Sequence, residues 1–148
     1  MIEDWIDEVS KVWEISNGRG GVVKSYRLFE KSDLPESLSE YPCAITYPVQ
    51  ARMVYGETAY TIWSGMTEFH LVPGVGKTNM AEMLRYFGRI QAAAAAHVTL
   101  GGKVSYFTLD QDQSVQGPVV MDYGDTAPGM WLLVRWMVKT NDAIVVGG

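Results

Sequence analysis

Apolar positions recur along this chain in two rhythms, and the rhythm changes at glycine- and proline-rich breaks. Residues 2–14 read IEDWIDEVSKVWE, with Ile2, Trp5, Ile6, Val9, Val12 and Trp13 at three- and four-residue spacing and charged residues between them. This spacing predicts an amphipathic N-terminal helix within 1–14. Its acidic first turns suit the positive end of the helix dipole. SNGRGG at 16–21 then stops it, because Gly and Asn supply the left-handed conformation of a helix end. A second helix is predicted over 78–97, where Met80, Met83, Leu84, Phe87, Ile90 and Gln91 run at helical spacing into QAAAAAH. Alanine is the strongest helix former, and its small side chain lets another element approach closely. Gly101-Gly102 marks the end of this helix.

The remaining apolar runs have the period of strands. VVKSYRLF (22–29), CAITYPV (43–49), YTIWSGMTEFHLV (60–72), KVSYFTLD (103–110) and MWLLVRWMV (130–138) are predicted strands, with a further short one at 118–123. In the long strand Ile62, Ser64, Met66, Glu68 and His70 share one face, and Trp63, Phe69 and Leu71 share the other. A Gly-Glu break near residue 56 turns a hairpin, so 47–60 is expected to protrude. EKSDLPESLSEYP (30–42) is polar and reads as a loop, and 141–148 is an apolar, then Gly-rich, C-terminal tail. Helices and strands are grouped and do not alternate strictly. The expected fold is α+β: one domain over 1–148, a mostly antiparallel sheet, and two main helices packed on one face.

Composition narrows the function. The chain is 47% hydrophobic with a net charge of −5, and its Lys and Arg form no block, so a phosphate-gripping surface is not expected. Its single cysteine, Cys43, sits in an apolar run and reads as a small buried hydrophobe. No signal peptide pattern and no apolar run of membrane-spanning length are visible, so no membrane partner is expected.

One stretch, VPGVGKT at 72–78, invites a catalytic reading. Gly76, Lys77 and Thr78 match the end of a phosphate-binding loop, in which backbone N–H groups cradle phosphate, Lys neutralises it and the hydroxyl binds magnesium. The first glycine of that motif is replaced by Leu71, and no second strand ending in Asp is evident to hold the metal. A turn at Pro73-Gly74, followed by a helix cap at Thr78 or Asn79 with Glu82 three residues after Asn79, accounts for the same residues. A small nucleotide-binding enzyme is therefore the alternative reading, and no enzyme, cofactor or metal is the favoured one. His70 and His97 lack metal-ligand spacing, DQDQ at 110–113 lacks the calcium-loop pattern, and Asp4, Asp7 and Glu8 read as a solvated helix face. The tryptophans are expected in the core or at subunit contacts.

The order of elements resembles the tail terminator family of long-tailed bacteriophages and its relatives among head–tail joining proteins. The resemblance rests on the opening helix, the Pro-containing strand YPCAITYPV, a protruding hairpin, the Trp-containing strand YTIWSGMTEFHLVP, one long helix, and final strands ending in GMWLLVRWMV. It covers about residues 1–140, and it is one of order and size with no diagnostic motif. It implies a virion protein of the tail or neck, assembled in the host cytoplasm. Such a protein would form a homo-oligomeric ring, a hexamer in the family, that stops tube growth. It would contact the tail tube protein and the head–tail connector or stopper, with DNA only as passing cargo. The family has no catalytic residues to carry over. The connection over 110–129 is longer than in some members, so ring order and exact station (terminator, stopper or completion protein) stay open. A head-to-tail ring needs two different complementary patches per subunit. One is expected in 47–60, at Val49, Arg52, Val54, Tyr55, Glu57 and Tyr60. The other is expected on the second helix or the tail.

Overall fold

A computed structural model describes residues 2–18, 20–28, 42–55, 59–73, 79–112, 114–121 and 129–141 of the chain. Their order is α1 (Ile2–Val12), β1 (Lys24–Arg27), β2 (Cys43–Val54), β3 (Tyr60–Pro73), α2 (Asn79–Ala96), β4 (Tyr106–Leu109), β5 (Val115–Met121) and β6 (Gly129–Asn141). The strands form one sheet in the order β1-β2-β3-β6-β4, with β5 also paired to β6. Every pairing is antiparallel except β1 with β2. The fold is thus α+β with a mostly antiparallel sheet, as the grouping of elements suggests.

Several boundaries differ from the expected ones. The first helix closes at Val12, where Trp13 N–H and Glu14 N–H turn back to the Ser10 and Lys11 carbonyls at 3.2 and 3.1 Å. The chain then reverses through Gly18 and Gly20, both at positive φ, and Val23 N–H meets the Ile15 carbonyl at 2.8 Å. β2 runs on to Val54, well past the expected end at 49, because β3 supplies a partner along its whole length. β4 and β5 lie end to end along the same edge of β6. Between them Asp110 N–H donates to the Arg135 carbonyl, and Arg135 N–H donates to that of Ser114, so Arg135 bonds to the end of β4 and to the start of β5.

One face of the sheet carries the core. Trp5, Ile6, Val9, Val12 and Trp13 of the first helical segment meet Tyr86, Ile90 and Ala94 of α2 over Phe69, Phe107, Leu132, Val134, Trp136 and Val138. Burying each large side chain stabilises the fold by roughly 1.5–3 kcal/mol. The aromatic rings meet edge to face: Trp5 to Trp63 at 5.5 Å, and Trp13 to Phe69 and to Phe107 at 5.8 Å. In β3 the odd positions Thr61, Gly65, Thr67, Phe69 and Leu71 are buried on the helix side, in keeping with the two-residue period, and His70 is buried on the other face. On α2 the buried line is Tyr86, Ile90 and Ala94. Leu84, expected in the apolar stripe, is instead exposed, as is Gln91. The expected stripe runs through Leu84 and Gln91, whereas the line that meets the core runs through Tyr86, Ile90 and Ala94.

Asp7 and Glu8 also do more than face solvent. Arg27 Nε of β1 lies 3.0 Å from Asp7 Oδ1, and Lys103 Nζ lies 3.1 Å from Glu8 Oε1. These exposed pairs contribute at most about 1 kcal/mol each, yet they tie α1 to the sheet on one side and to the turn after α2 on the other.

Candidate functional site

The β2–β3 hairpin divides into a buried base and an exposed arm. Cys43 to Thr46 are buried, Tyr47 and Pro48 are half-buried, and Val49 to Met53 are exposed. The change falls where β1 ends, since β1 pairs only with Cys43 to Thr46. It also coincides with a register shift between Pro48 and Gln50. Proline has no N–H to offer a ladder, so a strand edge or a bulge is where it is tolerated. Beyond it, the outer edge of β2 has no partner strand among the described residues.

The six residues expected to contact a neighbour do not all lie alike. Val49 and Tyr55 stand out at 61% and 75% exposure, and Arg52 is exposed as well. Val54 and Tyr60 are half-buried and are cross-strand partners. Lys139 Nζ of β6 sits 4.4 Å from the centre of the Tyr60 ring, a cation–π contact that anchors the inner side of the arm. Glu57 lies outside the described residues. Met53, which spacing did not single out, is 56% exposed and adds to the apolar surface.

Gly76, Lys77 and Thr78 also lie outside the described residues. Their flanks are defined: the strand before them ends at Pro73 and the helix after them begins at Asn79. That strand, β3, is antiparallel to both of its neighbours. A phosphate-binding loop of the expected kind follows a strand of a parallel sheet, so the setting differs from the one its chemistry normally uses.

The sheet face turned away from the helices holds a polar cluster that sequence reasoning missed. Tyr47 Oη donates to Glu68 Oε2 at 2.5 Å and also approaches Met66 Sδ at 3.2 Å. Glu68 Oε1 lies 3.0 Å from His70 Nε2, and His70 is buried. Nearby, Arg135 Nη1 donates to Gln116 Oε1 at 2.6 Å. Burial and the hydrogen bond to Glu68 push the Tyr47 hydroxyl above its ordinary value. Burial alone would raise the Glu68 carboxyl, but the bonds from His70 and Tyr47 outweigh it and hold the group below its usual range. Two-residue alternation places Glu68 and His70 on one face. Tyr47 joins them only through the cross-strand register, which no local pattern reveals.

A groove of about 810 Å³ runs between the second half of α2 and β4. Ala94, Ala95 and Val98 line one side, and the segment from Tyr106 to Asp112 lines the other. Among the described residues no group of three or more His, Cys, Asp or Glu gathers as a metal site, and no helix is long and apolar enough to cross a membrane. No protein-family model matches the chain, and no curated protein matches it.

Proposed function

We propose that this protein is a virion structural protein of a long-tailed bacteriophage. In this reading it forms a ring at the head–tail junction, caps the tail tube and joins it to the head connector. The observation that carries the reading is the β2–β3 arm, which presents Val49, Met53 and Tyr55 to solvent beside a strand edge that has no partner among the described residues. Exposed apolar side chains next to unpaired backbone groups are a surface that a second chain stabilises. The resemblance in element order supports the station. The net charge of −5 supports a channel that lets DNA pass without holding it. In this reading the protein acts as a tail terminator, with the tail tube and the connector as its axial partners.

Light scattering at rising concentration, with negative-stain images of the same sample, tests the ring. Closed rings of about six subunits are expected. Nucleotide binding that disappears in Lys77→Ala would replace the structural role with the enzymatic one.

A further inference from the structure

The two ends of the sheet carry complementary surfaces. At the β1–β2 end the arm projects Val49, Met53 and Tyr55, and its one charged side chain among residues 47–55 is the exposed Arg52. At the β4 end lies the groove against α2. Among the described residues that line it are Asp110 and Asp112 and no Lys or Arg. Its apolar part includes Ala94, Ala95, Val98, Leu109 and Met137. Methyl side chains along the helix wall allow a neighbouring backbone to come close, and Val98 is itself 50% exposed.

We propose that the joint between neighbouring copies seats the β2–β3 arm of one chain in the α2–β4 groove of the next, an inference that rests on the ring reading above. The apolar side chains of the arm cover the alanines and Val98, and Arg52 meets the Asp110–Asp112 rim. Charge complementarity of this kind fixes register and excludes the wrong pairing. Because β2, which carries the exposed residues of the arm, and β4, which lines the groove, lie on opposite sides of the β3–β6 pair, each copy that uses its arm still offers its groove. The contact is therefore heterologous and repeats until the ring closes. A contact of arm with arm would instead stop at a twofold dimer. The groove takes side chains more readily than a whole added strand, because Phe107 N–H already donates to the Val98 carbonyl at 2.6 Å.

A cysteine pair tests the joint. Cys43 is fully buried, so Met53→Cys with Ala95→Cys introduces the accessible thiols. Under mild oxidation the double variant should give a ladder of disulfide-linked multimers, and each single variant should stay uncrosslinked. Efficient dimers from Met53→Cys alone would overturn the joint in favour of arm against arm. Oligomers seen by light scattering without a ladder would overturn it while leaving the ring reading standing. A chain that stays monomeric at every concentration refutes self-association through this joint, and the phage reading is then judged by whether the protein caps tail tubes. The charge arm of the test is Arg52→Glu, expected to weaken association about tenfold or more. Adding Asp112→Lys should restore it, with the circular dichroism of both variants unchanged. No recovery in the double variant would remove the pairing of Arg52 with the acidic rim.

Discussion

Gly65 and Trp136 face each other across the β3–β6 pair, and the indole fills the place where a side chain at 65 would begin. A Cβ there would stand 2.1 Å from Trp136 Cζ2. The ring is held in position, since its Nε1 donates to Thr67 Oγ1 at 3.1 Å and Thr67 shares a 2.8 Å bond with Thr46. Gly65→Ala must therefore displace a fully buried tryptophan from its hydrogen bond. A loss of about 3 kcal/mol is expected, read as a lower urea midpoint with an unchanged slope. A loss below about 0.5 kcal/mol would mean that the ring can move freely.

Trp13 and Trp136 are both fully buried but should respond differently to shortening. Trp13 Nε1 has no hydrogen-bond partner among the described residues, whereas Trp136 Nε1 is bonded. Trp13→Phe removes an unsatisfied donor along with some apolar area. Trp136→Phe removes a made bond and leaves Thr67 short of a donor. Trp13→Phe is expected to cost about 1–2 kcal/mol less, by chemical denaturation of the two variants side by side.

The cluster of Tyr47, Glu68 and His70 makes stability depend on pH at both ends. Glu68 is held below its ordinary value, so its contribution is present above about pH 4.3 and lost as pH falls through the lower folded value. Tyr47 is held above its own, so its contribution is present below about pH 10 and lost as pH rises beyond. Thermal melts across pH should show both declines. Tyr47→Phe should flatten the alkaline one at a cost near neutral pH of about 1 kcal/mol. An unchanged alkaline limb in that variant would exclude Tyr47 as its source.

Deletion within 50–58 should abolish oligomers, and charge reversal there should weaken them, while the far-ultraviolet dichroism and the melting behaviour of the monomer stay intact. Val49 to Met53 are exposed and lie outside the helix-covered core, so little folding energy depends on them. Intact rings from such a variant would exclude the arm as an assembly element.

Local patterning carried the reading as far as its physical range allows. The two helices, the two-sided β3 and the class of fold follow from spacing, because helix and strand periods are properties of neighbouring residues. The parallel register of β1 on β2 was out of reach, as was the placing of β4 and β5 on one edge of β6. Both depend on which distant segments pair. The arm was visible as a Gly-Glu break between apolar runs. The exposure of Met53 was not, since it depends on what packs over that part of the sheet. The groove against α2 needed the helix and β4 to be placed together before its acids could be seen as a rim.

The pairing of β3 with β6 joins residues about 70 positions apart in the chain, and it is the most extensive pairing in the sheet. During synthesis the β2–β3 hairpin leaves the ribosome long before residues 129–141 do. Until they arrive, the edge of β3 that β6 will take is open. Chains dominated by such distant pairings fold slowly, on a scale of about milliseconds to seconds. The nascent protein thus has a period in which the strand that will later form the centre of the sheet is itself an open edge.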